Sequence, residues 1–275
     1  MDDELSSGVW QLDPATRTAM RLDRVRAAMR ERDYTSAIIE VEELLGEEPN
    51  NAEGLFLLGE SLLEVGDAPL ALEAYSHHIE LGGSDRDALL GQAIARFETC
   101  DLIGSIEAAR EVIRMDSSVA EAHWYLGLSL ERLPGRQMDA LAAFSAARQL
   151  QSADFPFPLE LSEKAWNEAL ARALRGIHPS VEEFWYGVPV KFEGLPDLDE
   201  LRKHEPPVPP TISALYLGDP PEEADPWSKR PTAIRIFRDN LARSKDMDEV
   251  VLQLGLALQS EALDWLGLVD ATELD

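Results

Sequence analysis

A pattern that returns about every 34 residues constrains this chain more than any other feature. Residues 57–82, LLGESLLEVGDAPLALEAYSHHIELG, hold a Leu-Gly pair, a Gly-Asp turn, then Ala, aromatic and aliphatic positions on a second helical run. Thirty-four residues earlier, Ala37 lines up with Ala71 and Val41 with Tyr75. Thirty-four later come Ser105 and Ala109, and a further 35 bring Ala140 and Phe144, the extra residue falling in the LPGRQ turn. Registers in series like these predict helical hairpins at about 14–46, 52–82, 86–115 and 119–150. Small residues (Gly59, Ala71, Gly127, Ala140) fall where two helices cross, and larger ones (Leu58, Tyr75, Leu126, Phe144) fill the space between hairpins. Breakers mark the turns at Gly66-Asp67, Cys100-Asp101 and Pro134-Gly135, Pro49 ends the first hairpin, and Asp13-Pro14 supplies an N-cap and a first-turn proline.

These positions resemble the tetratricopeptide repeat family, with Gly83 and Ser117 standing where that family often has proline. The resemblance implies a mostly α fold: an α-solenoid of about four hairpins over residues 1–150, with the first helix of each hairpin lining a concave face. It places Phe56, Glu60, Leu90, Ile94, Phe97, Glu98, Trp124 and Leu128 there as the partner-binding set, Leu63 and Leu90 fitting the seam between hairpins equally well. Glu53, Glu64, Asp87 and Glu121 extend the acidic rim. An apolar groove with such a rim suits an amphipathic or extended polypeptide bearing basic flanks. The Lys/Asn/Arg set with which some relatives clamp a terminal carboxylate is missing.

Charge narrows the partners. Lys+Arg is 25 against Asp+Glu 52, a formal net charge of −27, which repels phosphate backbones and anionic headgroups and argues against nucleic acid and membrane surfaces as partners. With Cys100 as the single cysteine there is no disulfide framework and no thiolate zinc cluster. MDDELSSGVW lacks the basic and apolar regions of a signal peptide, and no apolar run approaches the ~18 residues that span a bilayer, so the expected compartment is cytoplasmic. His77 and His78 are adjacent, project about 100° apart on a helix and read as surface residues.

The repeat pattern stops at SADFPFPLE (152–160), the place to divide the chain into 1–150 and 151–275. The apolar FPFP segment is well placed to fold back on the last hairpin, whose outer face needs covering. A helix at about 159–175, strands at 187–192 and 232–238 and a helix at about 246–267 make a small α+β unit, with a proline-rich loop between the strands. GVPVKFEGLP, SALYLGDPP, PTAIRIFRDNLAR and a final helix ending in Gly-Leu-x-Asp resemble the minimal zincin-like metallopeptidase domain. In that family HExxHxxGxxD binds zinc and activates water. Here the register is SEALDWLGLVD: Glu261, Gly267 and Asp270 match, while Ser260 and Asp264 stand where both histidines belong. The resemblance therefore implies a pseudo-enzyme with no metal, no cofactor and no catalytic residues. The rival reading is a metal-dependent peptidase with unorthodox ligands, such as an all-oxygen site at Glu261, Asp264 and Asp270, and the repeats as substrate receptor. His178, before Pro179, reads as a turn residue, and neither it nor His204 has ligand spacing.

Overall fold

A computed structural model describes residues 13–83, 85–221, 226–269 and 272. Eight helices pair as the repeat pattern predicts: α1 (Pro14–Arg30) with α2 (Tyr34–Glu47), α3 (Ala52–Glu64) with α4 (Ala68–Glu80), α5 (Arg86–Glu98) with α6 (Leu102–Met115), and α7 (Ala120–Glu131) with α8 (Gln137–Leu150). Asp13 caps α1 by accepting from Thr16 N, and Pro14 opens its first turn.

The hairpin turns share one device. Arg32, Gly66, Cys100 and Gly135 occupy equivalent places and have φ of 60°, 83°, 63° and 75°. This left-handed conformation is the one in which the chain can leave one helix and enter the next, and it favours glycine. Aspartate follows in the first three turns: Asp33, Asp67 and Asp101 accept from the backbone N–H of Ser36, Leu70 and Gly104. Arg136, at the fourth, makes no such bond. Arg32 holds its φ against a Cβ–carbonyl clash, so Arg32→Gly is expected to raise stability by about 0.5–1 kcal/mol after the extra unfolded-state entropy of glycine is subtracted. Urea denaturation checks this, and a loss of stability would show that the arginine side chain contributes more than its backbone costs.

Packing divides the chain into two units, one of residues up to Phe97 together with Asp101–Leu126, the other of Glu98–Cys100 together with residues from Gly127 onward. This packing division lies earlier than the composition change near 151 because α8 and the end of α7 share contacts with the α+β segment, Arg243 bonding Glu131 and lying over the Phe144 ring.

In the first unit, Leu22, Val25, Ala37, Val41, Leu44 and Leu57 form one cluster, and Leu62, Ala71, Tyr75, Ala88 and Ala95 another. The adjacent histidines differ. His77 approaches Asn50 Oδ1 at 3.1 Å, whereas His78 is 6% exposed, with Nδ1 2.7 Å from Ala52 O and Nε2 3.4 Å from Asp85 Oδ2. The surface reading of His78 is thus corrected: its face of α4 packs on α3. The same ring explains Gly83, where any Cβ would stand 2.1 Å from His78 Nε2.

In the second unit, α9 (Glu163–Gly176), α10 (Pro179–Trp185) and α13 (Met247–Leu266) accompany a sheet of β1 (Val190–Glu193), β2 (Ala214–Leu217) and β3 (Ala233–Phe237), with short helices α11 (Leu198–Leu201) and α12 (Arg238–Leu241). The order is β1-β3-β2, with β1 parallel and β2 antiparallel to β3. Central β3 is buried throughout, so it reads AIRIF as a near-continuous apolar run. Trp166, Ala169, Phe184, Trp185, Ile234, Ile236, Leu254, Leu258 and Trp265 build the core around it. The sequence reading missed β2, inside the proline-rich stretch, the short helices α11 and α12, and α10, which His178 caps by accepting from Ser180 N. The FPFP segment does turn back on α8, where Arg148 donates to Pro156 O and lies 4.3 Å from the Phe157 ring centre. No helix among the described residues is long and apolar enough to cross a membrane.

Candidate functional site

Within the first unit, the first helices of successive hairpins each present one face to a shared cavity of about 670 Å³. Helix α3 supplies Phe56, Glu60, Leu63 and Glu64; α5 supplies Asp87, Leu90, Gly91 and Ile94; α7 supplies Glu121 and Tyr125. Their spacing is that of single helix faces, three, four or seven residues apart. Apolar side chains and carboxylates share the walls, carboxylates alone supply the lining charge among the described residues, and Phe56, Leu63, Leu90 and Ile94 are only half-buried.

Those carboxylates are under electrostatic pressure. Glu60 Oε1 accepts from Tyr75 Oη at 2.7 Å. Burial nevertheless holds the Glu60 carboxyl above the ordinary 4.5, with Asp87 and Glu64 adding to the rise against that hydrogen bond. Burial likewise raises Glu121, and Glu60 and Glu64 push it further. Charge that is partly desolvated and crowded by its own sign is stabilised by an arriving cation.

The structure sorts the sequence-derived set. Phe56, Glu60, Leu90 and Ile94 line the cavity. Phe97 and Leu128 do not: they are 0% and 3% exposed. Phe97 packs edge-on to Tyr125, at 5.6 Å and 73°, in the layer behind the cavity. Trp124 is half-buried and outside the lining; Tyr125, one residue and about 100° further round α7, takes that place. Tyr125 was missed, although the 34-residue register aligns it with Gly91, a small residue that leaves room for a large one on the next hairpin. Glu98 belongs to the second unit, where it accepts from Thr211 Oγ1 at 3.3 Å. Burial pushes its carboxyl up to about 7.

The residues that the sequence comparison set against the zincin-like motif lie on α13. Ser260 is exposed. Glu261 Oε2 accepts from Tyr216 N at 2.8 Å, and Asp264 Oδ2 accepts from Tyr216 Oη at 2.7 Å. Both carboxylates thereby tie α13 to β2. Burial pushes Glu261 up to about 7, the neighbouring Asp264 adding to the rise. Gly267, at φ 67°, ends the helix in the left-handed conformation; Asp270 lies outside the described residues. Among the described residues, no three or more His, Cys, Asp or Glu side chains are grouped to hold a metal ion. A hydroxyl and carboxylates already bonded to Tyr216 do not fit the zinc that the family's motif would hold.

Residues 22–86 and 90–155 match the family model described as tetratricopeptide repeat. Among solved structures, one described as a crystal structure of MamA protein is 23% identical over 49% of this chain and 73% of that chain, with a TM-score of 0.45. A second MamA structure is also 23% identical, over 46% and 74%, with a TM-score of 0.43. No curated protein matches the chain.

Proposed function

We propose that the tetratricopeptide repeats of this chain form a non-catalytic binding module whose groove receives a polypeptide segment carrying both apolar and basic side chains. One observation supports this above the others: Glu60, Glu64, Asp87 and Glu121 share a cavity with Phe56, Leu63, Leu90, Ile94 and Tyr125, and among the described residues no basic one lines it. A lysine or arginine of the partner relieves the crowded carboxylates while its neighbours cover the apolar wall. The acidic rim speeds association and sets salt sensitivity, and the apolar contacts supply lifetime.

The experiment is fluorescence anisotropy with labelled amphipathic peptides of equal length in basic, neutral and acidic versions. The basic version should bind best and weaken with salt. Because Glu60 and Glu121 lose their protons above the ordinary 4.5, its affinity should rise as pH climbs through that range, with proton release on binding. Glu60→Gln with Glu121→Gln should cost roughly tenfold in affinity and flatten the pH profile. Equal binding of all versions, unmoved by the double substitution, would sink the reading.

For the α+β unit we infer a pseudo-peptidase that keeps a zincin-like wording without the chemistry. The support is that Ser260 and Asp264 occupy the histidine positions of that motif and that Glu261 and Asp264 hold Tyr216.

A further inference from the structure

The second unit contains a smaller cavity, of about 250 Å³, lined by Glu163, Trp166, Asn167, Phe192 and Arg238. Glu163, Trp166 and Asn167 are three and four residues apart on the first turns of α9 and so share one face. Asn167 Nδ2 donates to Glu163 O at 2.8 Å, which fixes the amide along that face. Trp166 is 3% exposed, and its ring centre is 6.2 Å from that of Phe192, tilted 45°. Phe192 is on β1 opposite Ile236 of parallel β3, and Arg238 follows β3 directly. The cavity thus lies off the carboxyl ends of a parallel strand pair, where α/β sheets tend to take ligands.

Its charges are opposite and lie at the rim, Glu163 exposed and Arg238 half-buried. The Arg238 guanidinium lies 5.9 Å from the Phe192 ring centre and makes no hydrogen bond or ion pair among the described residues. The Glu163 carboxylate makes none there either; only its backbone oxygen is engaged. A purely anionic ligand would meet Glu163 and a purely cationic one Arg238, whereas a zwitterion satisfies both. The volume is below the roughly 300–1,000 Å³ of pockets for drug-sized ligands, which suits a molecule the size of a single residue.

We propose that this cavity binds a free α-amino acid with an apolar side chain. Its carboxylate pairs with Arg238, its ammonium with Glu163, and its side chain lies against Trp166 and Phe192. Guanidinium and carboxylate match as paired donors and acceptors, the strongest of the available polar contacts.

Isothermal titration calorimetry on the full chain tests this with phenylalanine and leucine as probes, beside phenylalanine amide, N-acetylphenylalanine and glycine. Phenylalanine or leucine should bind saturably, one molecule per chain. The amide and the N-acetyl form should bind about tenfold more weakly or worse, each having lost one charge. Glycine should bind more weakly too, having no side chain for the aromatic wall. Arg238→Gln should erase the preference for the acid over the amide, and Glu163→Gln the preference over the N-acetyl form. The Glu60→Gln, Glu121→Gln variant should bind phenylalanine as the native chain does, which separates this site from the groove. The proposal is overturned if neither probe binds saturably, if acid and amide bind the native chain alike, or if the Arg238 and Glu163 variants keep the native preferences.

Discussion

Tyr75→Ala should destabilise the chain by about 3–5 kcal/mol, the range for deleting a buried aromatic ring and leaving its cavity. Tyr75 is 0% exposed, and its ring fills a space framed by two glycines. A Cβ at Gly59 would stand 2.9 Å from the ring and one at Gly91 only 2.2 Å. Neither glycine has a side chain that can move into the void, so little of the loss is recovered by relaxation. Phe56 also loses its edge-on partner, now 6.1 Å away at 72°. Tyr75→Phe separates packing from polarity. It keeps the ring and loses only the hydrogen bond to Glu60, a cost of about 1–2 kcal/mol. It should also raise the Glu60 pKa further, because the phenol is the group that lowers it. Urea denaturation of both variants is the check. An alanine variant within 1 kcal/mol of the native chain, about the cost of a conservative swap, would mean that Tyr75 does not hold this seam. Phe97 is equally buried, so Phe97→Ala should unfold the repeats rather than report on binding, and it is unsuitable as a groove probe.

Arg132→Met should also cost about 3–5 kcal/mol, as expected when one member of a buried charged network is removed. The Arg132 side chain is 1% exposed. Its Nη2 donates to Pro210 O at 2.9 Å and Asn240 Oδ1 at 2.8 Å, and Nη1 donates to Leu128 O at 3.0 Å. Burial pulls its pKa down to about 10, which still leaves it charged near neutrality. Methionine keeps much of the volume but supplies no donor, so those acceptors lose a partner where water is scarce.

The pH dependence of this variant has a definite sign. Glu98 is raised from 4.5 to about 7, and Arg132 is one of the groups restraining that rise. A raised carboxyl stabilises the fold fully below its unfolded value of 4.5 and loses that contribution as pH climbs through about 7. Without Arg132 the folded pKa moves higher, so the variant's deficit should be larger at alkaline than at mildly acidic pH. Denaturation on either side of the window tests this, and a deficit that shrank with rising pH would contradict the assigned coupling.

Much of this was legible in the residues. The 34-residue register located the hairpins, the turn breakers, and the small and large positions, Gly59 and Tyr75 among them; that the two meet is shown by the packing. Half of the named groove set (Phe56, Glu60, Leu90, Ile94) does line the cavity. Periodicity is local, and it identifies a helix and its two faces. It does not say which of two neighbouring residues near the edge of a face is swallowed by the next hairpin: Phe97 is buried, Trp124 is half-buried beside the lining, and Tyr125 takes the place on α7. The paired histidines failed in the same way, since only the docking of α4 on α3 buries His78 and leaves His77 outside.

In the second half the residues determined the long helices by their period, and the alternation of TAIRIFR marks a strand but implies one exposed face, whereas β3 is buried on both. Strand β2 is four residues long and sits among prolines, with no period to announce it. It is a strand because β3 offers hydrogen bonds on one side and Glu261 accepts its Tyr216 N–H from α13. The same contact decided the fate of the acidic positions on α13. The residues do not tell what Glu261 and Asp264 do; packing shows that both hold Tyr216. The small cavity was invisible in the residues, since Glu163 and Arg238 are 75 positions apart, with Trp166 and Phe192 between them, and none of them repeats a pattern. Only the parallel pairing of β1 with β3, and the packing of α9 beside it, brings an indole, a phenyl ring and two opposite charges to one place.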